Sequence, residues 1–234
     1  MYGHFVLENH SKMEKSGRYA FMDGSEREIT KDIETKLELS CADDFLEIGF
    51  GSGIILKSLA GIVGSASGLD HPNCVKVFEE ENPGLATLTG GDFLEVDGTI
   101  LGNFDKILIY SVLHCLSSEE EVTAFVGKAL ALLRPGGRVL IGDLPNSSAK
   151  KRLLATRHGR DLEESWRELV EKEGGNQPQL SDQNEKLISF NDDSILKIIR
   201  FVRECGQESY LLPQASGLPF SKTREDILII ARHE

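Results

Sequence analysis

Apolar segments of strand length recur along this chain at residues 44–49, 65–70, 86–89, 106–111 and 138–141, with helical patterns between most of them. That alternation is the strongest constraint on the fold. Short buried strands separated by helices pair in parallel through crossover helices, which cover both faces of the sheet. Ser118-Glu119-Glu120-Glu121 reads as a capping box opening a helix, with Val122, Phe125, Val126, Ala129, Leu130 and Leu133 at helical spacing and Pro135-Gly136-Gly137 as its stop. A second box, Ser25-Glu26-Arg27-Glu28, precedes Ile29, Ile33 and Leu37 and predicts a helix leading into the first strand.

The alternation breaks after Asp143. About fifty polar residues, 144–193, separate the fifth strand from the next helix at 194–205, and helical pattern appears within them near 153–154 and 162–170. An excursion of that length inside one domain is usually functional or disordered. Two closing strands follow at 209–212 and 227–231, joined by about fourteen residues containing Gly217 and Pro219. That connection is too short for a helical crossover, so the last two strands should run antiparallel.

Charge and cysteines narrow the function classes. With 26 basic and 38 acidic residues the net charge is −12, which disfavours nucleic acid as a partner. The first ten residues lack the basic and apolar regions of a signal peptide, and no apolar run is long enough to cross a bilayer. Cys41, Cys74, Cys115 and Cys205 are far apart and suggest neither a disulfide framework nor a metal site, so a cytoplasmic location without membrane contact is expected.

The segment Glu47-Ile48-Gly49-Phe50-Gly51-Ser52-Gly53 reads as a strand end, a tight turn and a helix start. Glycines are needed where backbone turns sharply and must approach a ligand closely. Asp70 closes the next strand seventeen residues beyond Gly53, where a carboxylate can accept both hydroxyls of a ribose. A dinucleotide fingerprint would place its third glycine at Ile54. The pattern Glu-x-Gly-x-Gly-x-Gly instead resembles the first motif of the Rossmann-like (class I) S-adenosylmethionine-dependent methyltransferases. Gly91-Asp92-Phe93 resembles their adenine loop, 104–114 their fourth motif, and 133–141 the entry to their fifth strand.

The resemblance implies an α/β fold: a seven-stranded, mostly parallel sheet with the last strand antiparallel, helices on both faces, and a helical cap inserted after strand 5. It also implies S-adenosylmethionine as cofactor. Gly49, Gly51 and Gly53 would cradle its methionyl part, Glu47 would orient the loop or the amino group, Asp70 would hold the ribose with His71 beside it, Asp92 and Phe93 would meet the adenine, and Ser111 would lie near the methionine. Residues 1–30 would form an N-terminal cover carrying Tyr19, Phe21 and Met22, residues 31–145 and 191–234 the core, and residues 146–190 a substrate cap with Trp166 packing within it. The aromatic-flanked proline motif of the nucleic-acid members is missing, because Ser111-Val112-Leu113-His114 stands in its place. A small-molecule acceptor is therefore expected, and the leading reading is methylation on oxygen of a sugar or other metabolite. His114 is the candidate base, with Asp143 behind it. The cap opens with Lys150, Lys151, Arg152, Arg157 and Arg160, which either bind an anionic acceptor or form a solvated face balanced by Asp161, Glu163, Glu164 and Glu168. A nicotinamide-dependent oxidoreductase and a non-catalytic nucleotide-binding protein remain as alternatives.

Overall fold

A computed structural model describes residues 26–172 and 187–233. The elements in chain order are α1 (Glu26–Leu37), β1 (Asp44–Ile48), α2 (Ile54–Ala60), β2 (Ser65–Asp70), α3 (Pro72–Glu81), β3 (Thr87–Gly90), α4 (Gly98–Leu101), β4 (Phe104–Tyr110), α5 (Glu119–Ala131), β5 (Leu133–Pro145), α6 (Ser147–Ala155), α7 (Arg157–Lys172), α8 (Asp192–Glu204), β6 (Glu208–Pro213) and β7 (Arg224–Ile230). The sheet order is β3-β2-β1-β4-β5-β7-β6. Every pairing among β1 to β5 is parallel, while β7 runs antiparallel to both of its neighbours, as the short final connection required.

The central strands are apolar on both faces because both faces are covered. Ile107, Leu108 and Ile109 of β4 are all fully buried. Ile107 and Ile109 point into the layer formed with α5 and α8, and Leu108 into the opposite layer, which includes Ile29, Ile33 and Leu37 of α1. Helix α1 thus belongs to the core from its first turn. The expected boundary at residue 30 falls inside it, and residues 1–25 of the expected cover lie outside the described residues. Ser25 of the first capping box, Tyr19, Phe21 and Met22 are also outside them.

Three local readings shift. Helix α5 is capped as expected by Ser118, whose oxygen accepts from the Glu121 amide, but Glu121 returns to Ser117 rather than to Ser118. The helix stops at Ala131, and β5 begins at Leu133, so Pro135-Gly136-Gly137 lies within the strand span and not at the helix end. Gly136 adopts φ +74° there. At its other end β5 continues past Ile141 to Pro145 by means of a register shift between Ile141 and Leu144. Asp143 therefore sits in an irregularity inside the strand span. The excursion folds as α6 and α7 up to Lys172.

Candidate active site

Strands β1, β2, β4 and β5 end at the same edge of the sheet, and the chemistry-bearing side chains gather there. The three glycines after β1 all have positive φ: +78° at Gly49, +55° at Gly51 and +73° at Gly53. The turn is held from both sides. A Cβ on Gly49 would stand 2.5 Å from a Val112 methyl, so the exit of β4 packs directly on the turn. Asp70 holds it from the other side. Its Oδ2 accepts from the Gly51 amide at 2.6 Å and its Oδ1 from the His71 amide at 2.6 Å. Burial raises the Asp70 carboxyl above its ordinary value against the pull of these amides and of the Cys74 thiol. The same burial, with the carboxylate beside it, pushes the Cys74 thiol up.

A second group lies at the exits of β4 and β5. Ser111 and Asp143 both adopt left-handed backbone, φ +60° and +63°, which costs a non-glycine residue of order 1–3 kcal/mol and clusters at functional sites. The irregularity in β5 re-aims Asp143. Its Oδ2 accepts from the Ser111 hydroxyl and from Arg224, while its Oδ1 accepts from Gln214 Nε2 at 3.2 Å. Its own amide donates to Asp226 Oδ1 at 2.8 Å. His114 follows in a single 3₁₀ turn, Leu113–Cys115. Its Nδ1 is buried and makes no hydrogen bond with a described residue. Burial lowers its pKa from the usual 6.5, the Arg224 guanidinium adds to that, and Asp143 opposes it. The ring is held neutral with one nitrogen available.

The expected site residues fall into two sets. Glu47 (1% exposed), Gly49, Gly51, Gly53, Asp70, Ser111 and His114 converge on this edge. The Gly91 amide bonds the Asp70 carbonyl at 2.9 Å, which brings the 91–92 loop alongside. Asp92 is exposed there and accepts from the Leu94 amide at 2.8 Å, capping its own loop. Phe93 points elsewhere: its ring lies in the core, 4.6 Å from Phe125, with the Lys128 ammonium over it at 5.1 Å. Its faces are thus engaged with protein. His71 is exposed and caps α3 through Nδ1 to the Asn73 amide at 3.2 Å. Arg224, Gln214 and Asp226 had no signal beyond polar residues at the edges of apolar strand patterns.

Two cations of the cap's basic run are ion-paired and a third is bonded to backbone. Lys150 pairs with Glu163 at 3.2 Å, Arg152 with Asp192 at 2.5 Å, and Arg160 donates to the Leu154 and Ala155 carbonyls. Trp166 of α7 meets the Phe220 ring edge-on at 5.0 Å, and Phe220 in turn lies under the Arg224 guanidinium at 4.5 Å.

Residues 46–141, the span containing the glycine turn, Asp70, Ser111 and His114, match the protein family described as a methyltransferase domain. Over that span the chain is similar to a methyltransferase domain. An uncharacterized methyltransferase of Anoxybacillus flavithermus is 29% identical over 143 residues, covering 59% of this chain and 65% of that protein. An uncharacterized methyltransferase of Schizosaccharomyces pombe is 26% identical over 112 residues, covering 47% of this chain. The chain spans 65% and 43% of these two relatives, and 3% of a chondramide synthase of Chondromyces crocatus that it also matches.

Similar solved structures include the N-methyltransferase NodS of Bradyrhizobium japonicum with S-adenosyl-L-homocysteine (12% identity, TM-score 0.63, 98% of this chain and 96% of that one). Magnesium protoporphyrin IX methyltransferase of Synechocystis, also with S-adenosyl-L-homocysteine, aligns at 13% identity and TM-score 0.59 over 97% and 91% of the two chains. An O-methyltransferase family 2 protein of Planctomyces limnophilus in complex with apigenin aligns at 17% and 0.58 over 98% and 64%. At these identities the likeness is one of fold: the methyltransferase sheet with its antiparallel last strand.

Proposed function

We propose that this domain transfers the methyl group of S-adenosylmethionine to a small-molecule acceptor, on an oxygen atom. The observation that carries the reading is the bond from the Gly51 amide to Asp70 Oδ2 at 2.6 Å, which fastens the acid ending β2 onto the glycine turn ending β1. The donor set fits the cofactor: three glycines without side chains, a half-buried carboxylate for the ribose, the exposed Asp92 beside it for the adenine amine, and Ser111 facing the methionyl end. Glu47, buried two residues before Gly49, is the residue of the set assigned to orienting the turn or the amino group. When bound, the cofactor supplies a methyl carbon already activated by a sulfonium. What the chain must then do is position the acceptor and exclude water, which can supply roughly 7–11 kcal/mol of barrier reduction.

An acceptor hydroxyl must also lose a proton. His114 suits that task because its buried ring is neutral and its Nδ1 makes no hydrogen bond with a described residue. Asp143 is bonded by Ser111 and Arg224, so it fixes geometry and does not collect the proton. A net charge of −12 and neighbours named for magnesium protoporphyrin IX or bound to apigenin support a small metabolite over nucleic acid. An anionic metabolite is the specific proposal.

Calorimetry with S-adenosylmethionine and S-adenosyl-L-homocysteine tests the reading. Micromolar binding of both is expected, weakened at least about tenfold in Asp70→Ala, where a charged hydrogen-bond acceptor is lost. No heat with either ligand overturns it, and heat with NAD alone would favour an oxidoreductase.

A further inference from the structure

A groove of about 480 Å³ lies between α6 and the ends of β6 and β7. That volume is in the range that holds small organic ligands, and the carboxyl edge of an α/β sheet is where such ligands sit. One wall is apolar, built from Leu153, Leu211 and Leu212, and three cations, Arg152, Lys222 and Arg224, line the rest. Glu225 is the single carboxylate among the lining residues, and Asn146 Nδ2 donates to it at 2.6 Å. In a chain with twelve more acidic than basic residues, three cations to one acid is a local reversal.

The three cations are not equivalent. Arg152 is paired with Asp192, and Arg224 with Asp143. Lys222 is exposed and forms no ion pair or hydrogen bond with a described residue, so its charge is the one left for a ligand. Arg224 links this groove to the chemistry. It lines the groove, and its Nη1 donates to the Asp143 carboxylate that the Ser111 hydroxyl also reaches. Arg224 is thus the one lining residue that also contacts the group at the exits of β4 and β5, through the Asp143 carboxylate.

We propose that this groove holds the methyl acceptor, an apolar-bodied organic anion whose carboxylate or phosphate is bound by Lys222. The inference rests on the methyltransferase reading of the neighbouring edge. It puts the anion on the connection between β6 and β7, facing Arg152, the one residue of the cap's basic run that lines the groove.

The chain's one tryptophan, Trp166, packs on Phe220 beside Arg224 and reports on the groove by its fluorescence. The whole protein is titrated with octanoate, octyl phosphate and octanamide, in wild type, Lys222→Glu and Lys222→Arg, and each variant is checked for S-adenosyl-L-homocysteine binding by calorimetry. At least one anion is expected to bind about fivefold tighter than octanamide, the upper end for an exposed ion pair. Which anion does so separates carboxylate from phosphate. Lys222→Glu should abolish that preference and Lys222→Arg keep it, with S-adenosyl-L-homocysteine binding unchanged in both. Equal binding of octanamide, or a preference that survives Lys222→Glu, overturns the groove while leaving the cofactor reading intact. Anion preference in a protein that binds no S-adenosyl-L-homocysteine overturns the acceptor role instead.

Discussion

A Cβ at Gly53 would stand 2.0 Å from the Phe78 ring, on a residue already at φ +73°. Gly53→Ala should therefore lose about 1–2 kcal/mol from the backbone alone, and more as Phe78 is pushed out of its 5.4 Å contact with Phe50. Gly61 is the internal control, because it ends the same helix at φ −81° with open space around it. Urea denaturation should show Gly61→Ala nearly neutral and Gly53→Ala clearly destabilised; equal effects would mean that the turn is not held against Phe78. At His114 the prediction concerns charge. Its proton midpoint, read by NMR, should lie below 6.5 and move upward in Arg224→Gln, which removes the repelling guanidinium. The linked stability follows. Below 6.5 the unfolded imidazole takes up a proton while the folded one does not, so acidification from 6.5 toward the folded midpoint costs stability. A midpoint that does not respond to Arg224→Gln would separate His114 from the Asp143–Arg224 pair.

At the scale of elements, Asn146 decides how the cap joins the sheet. It is 2% exposed, its Oδ1 accepts from the Ser148 and Ala149 amides, and its Nδ2 donates to Asp192 at 2.8 Å and Glu225 at 2.6 Å. One side chain thus caps α6 and ties it to α8 and β7. Asn146→Asp keeps the cap acceptor but replaces a donor between two carboxylates with a third negative charge. A loss of about 2 kcal/mol is expected, with faster hydrogen exchange in α6 and α7 than in β4; uniform exchange across the chain would refute a local role. Asn146 also marks where reading the sequence reaches its limit. Strand nuclei such as Ile107–Ile109 were legible because burial on both faces leaves continuous apolar runs, and the glycine turn with Asp70 was legible because its spacing is local. The extent of β5 was not. Gly136 at φ +74° reads as a break although the strand span begins before it, and the shift after Ile141 is set by β7, some eighty residues on. Asp143, Gln214, Arg224 and Asp226 contact one another across such separations with no local pattern. Phe93 follows a recognisable Gly-Asp-Phe pattern, yet its ring is used by the core because α5 brings Phe125 and Lys128 over it.

Across the whole molecule, one ion pair connects the first described helix to the last strand and bears on the site. Lys36 of α1 reaches Asp226 of β7 at 2.6 Å across 190 residues of sequence, and also Asp32 at 2.5 Å. Asp226 is fully buried, and its other oxygen accepts from the Asp143 amide, so the carboxylate that neutralises Lys36 also fixes the irregularity that aims Asp143 at Ser111. Removing one partner of a buried pair leaves an uncompensated charge, which costs about 3–5 kcal/mol, whereas removing both charges costs much less. Lys36→Met should therefore be strongly destabilised at pH 8, and Lys36→Met with Asp226→Asn should recover much of the loss. The pH dependence has a definite sign. Burial already raises the Asp226 carboxyl above its ordinary value while Lys36 pulls it down, so losing Lys36 raises it further. A raised folded-state value means that the folded protein binds the proton first: stability is greatest below the unfolded value and falls as pH rises through the folded one. The deficit of Lys36→Met relative to wild type, measured by urea denaturation, should accordingly shrink from pH 8 to pH 5. A deficit of the same size at both values would show that lost packing around the lysine stem, and not the stranded carboxylate, is what the first helix contributes to the site.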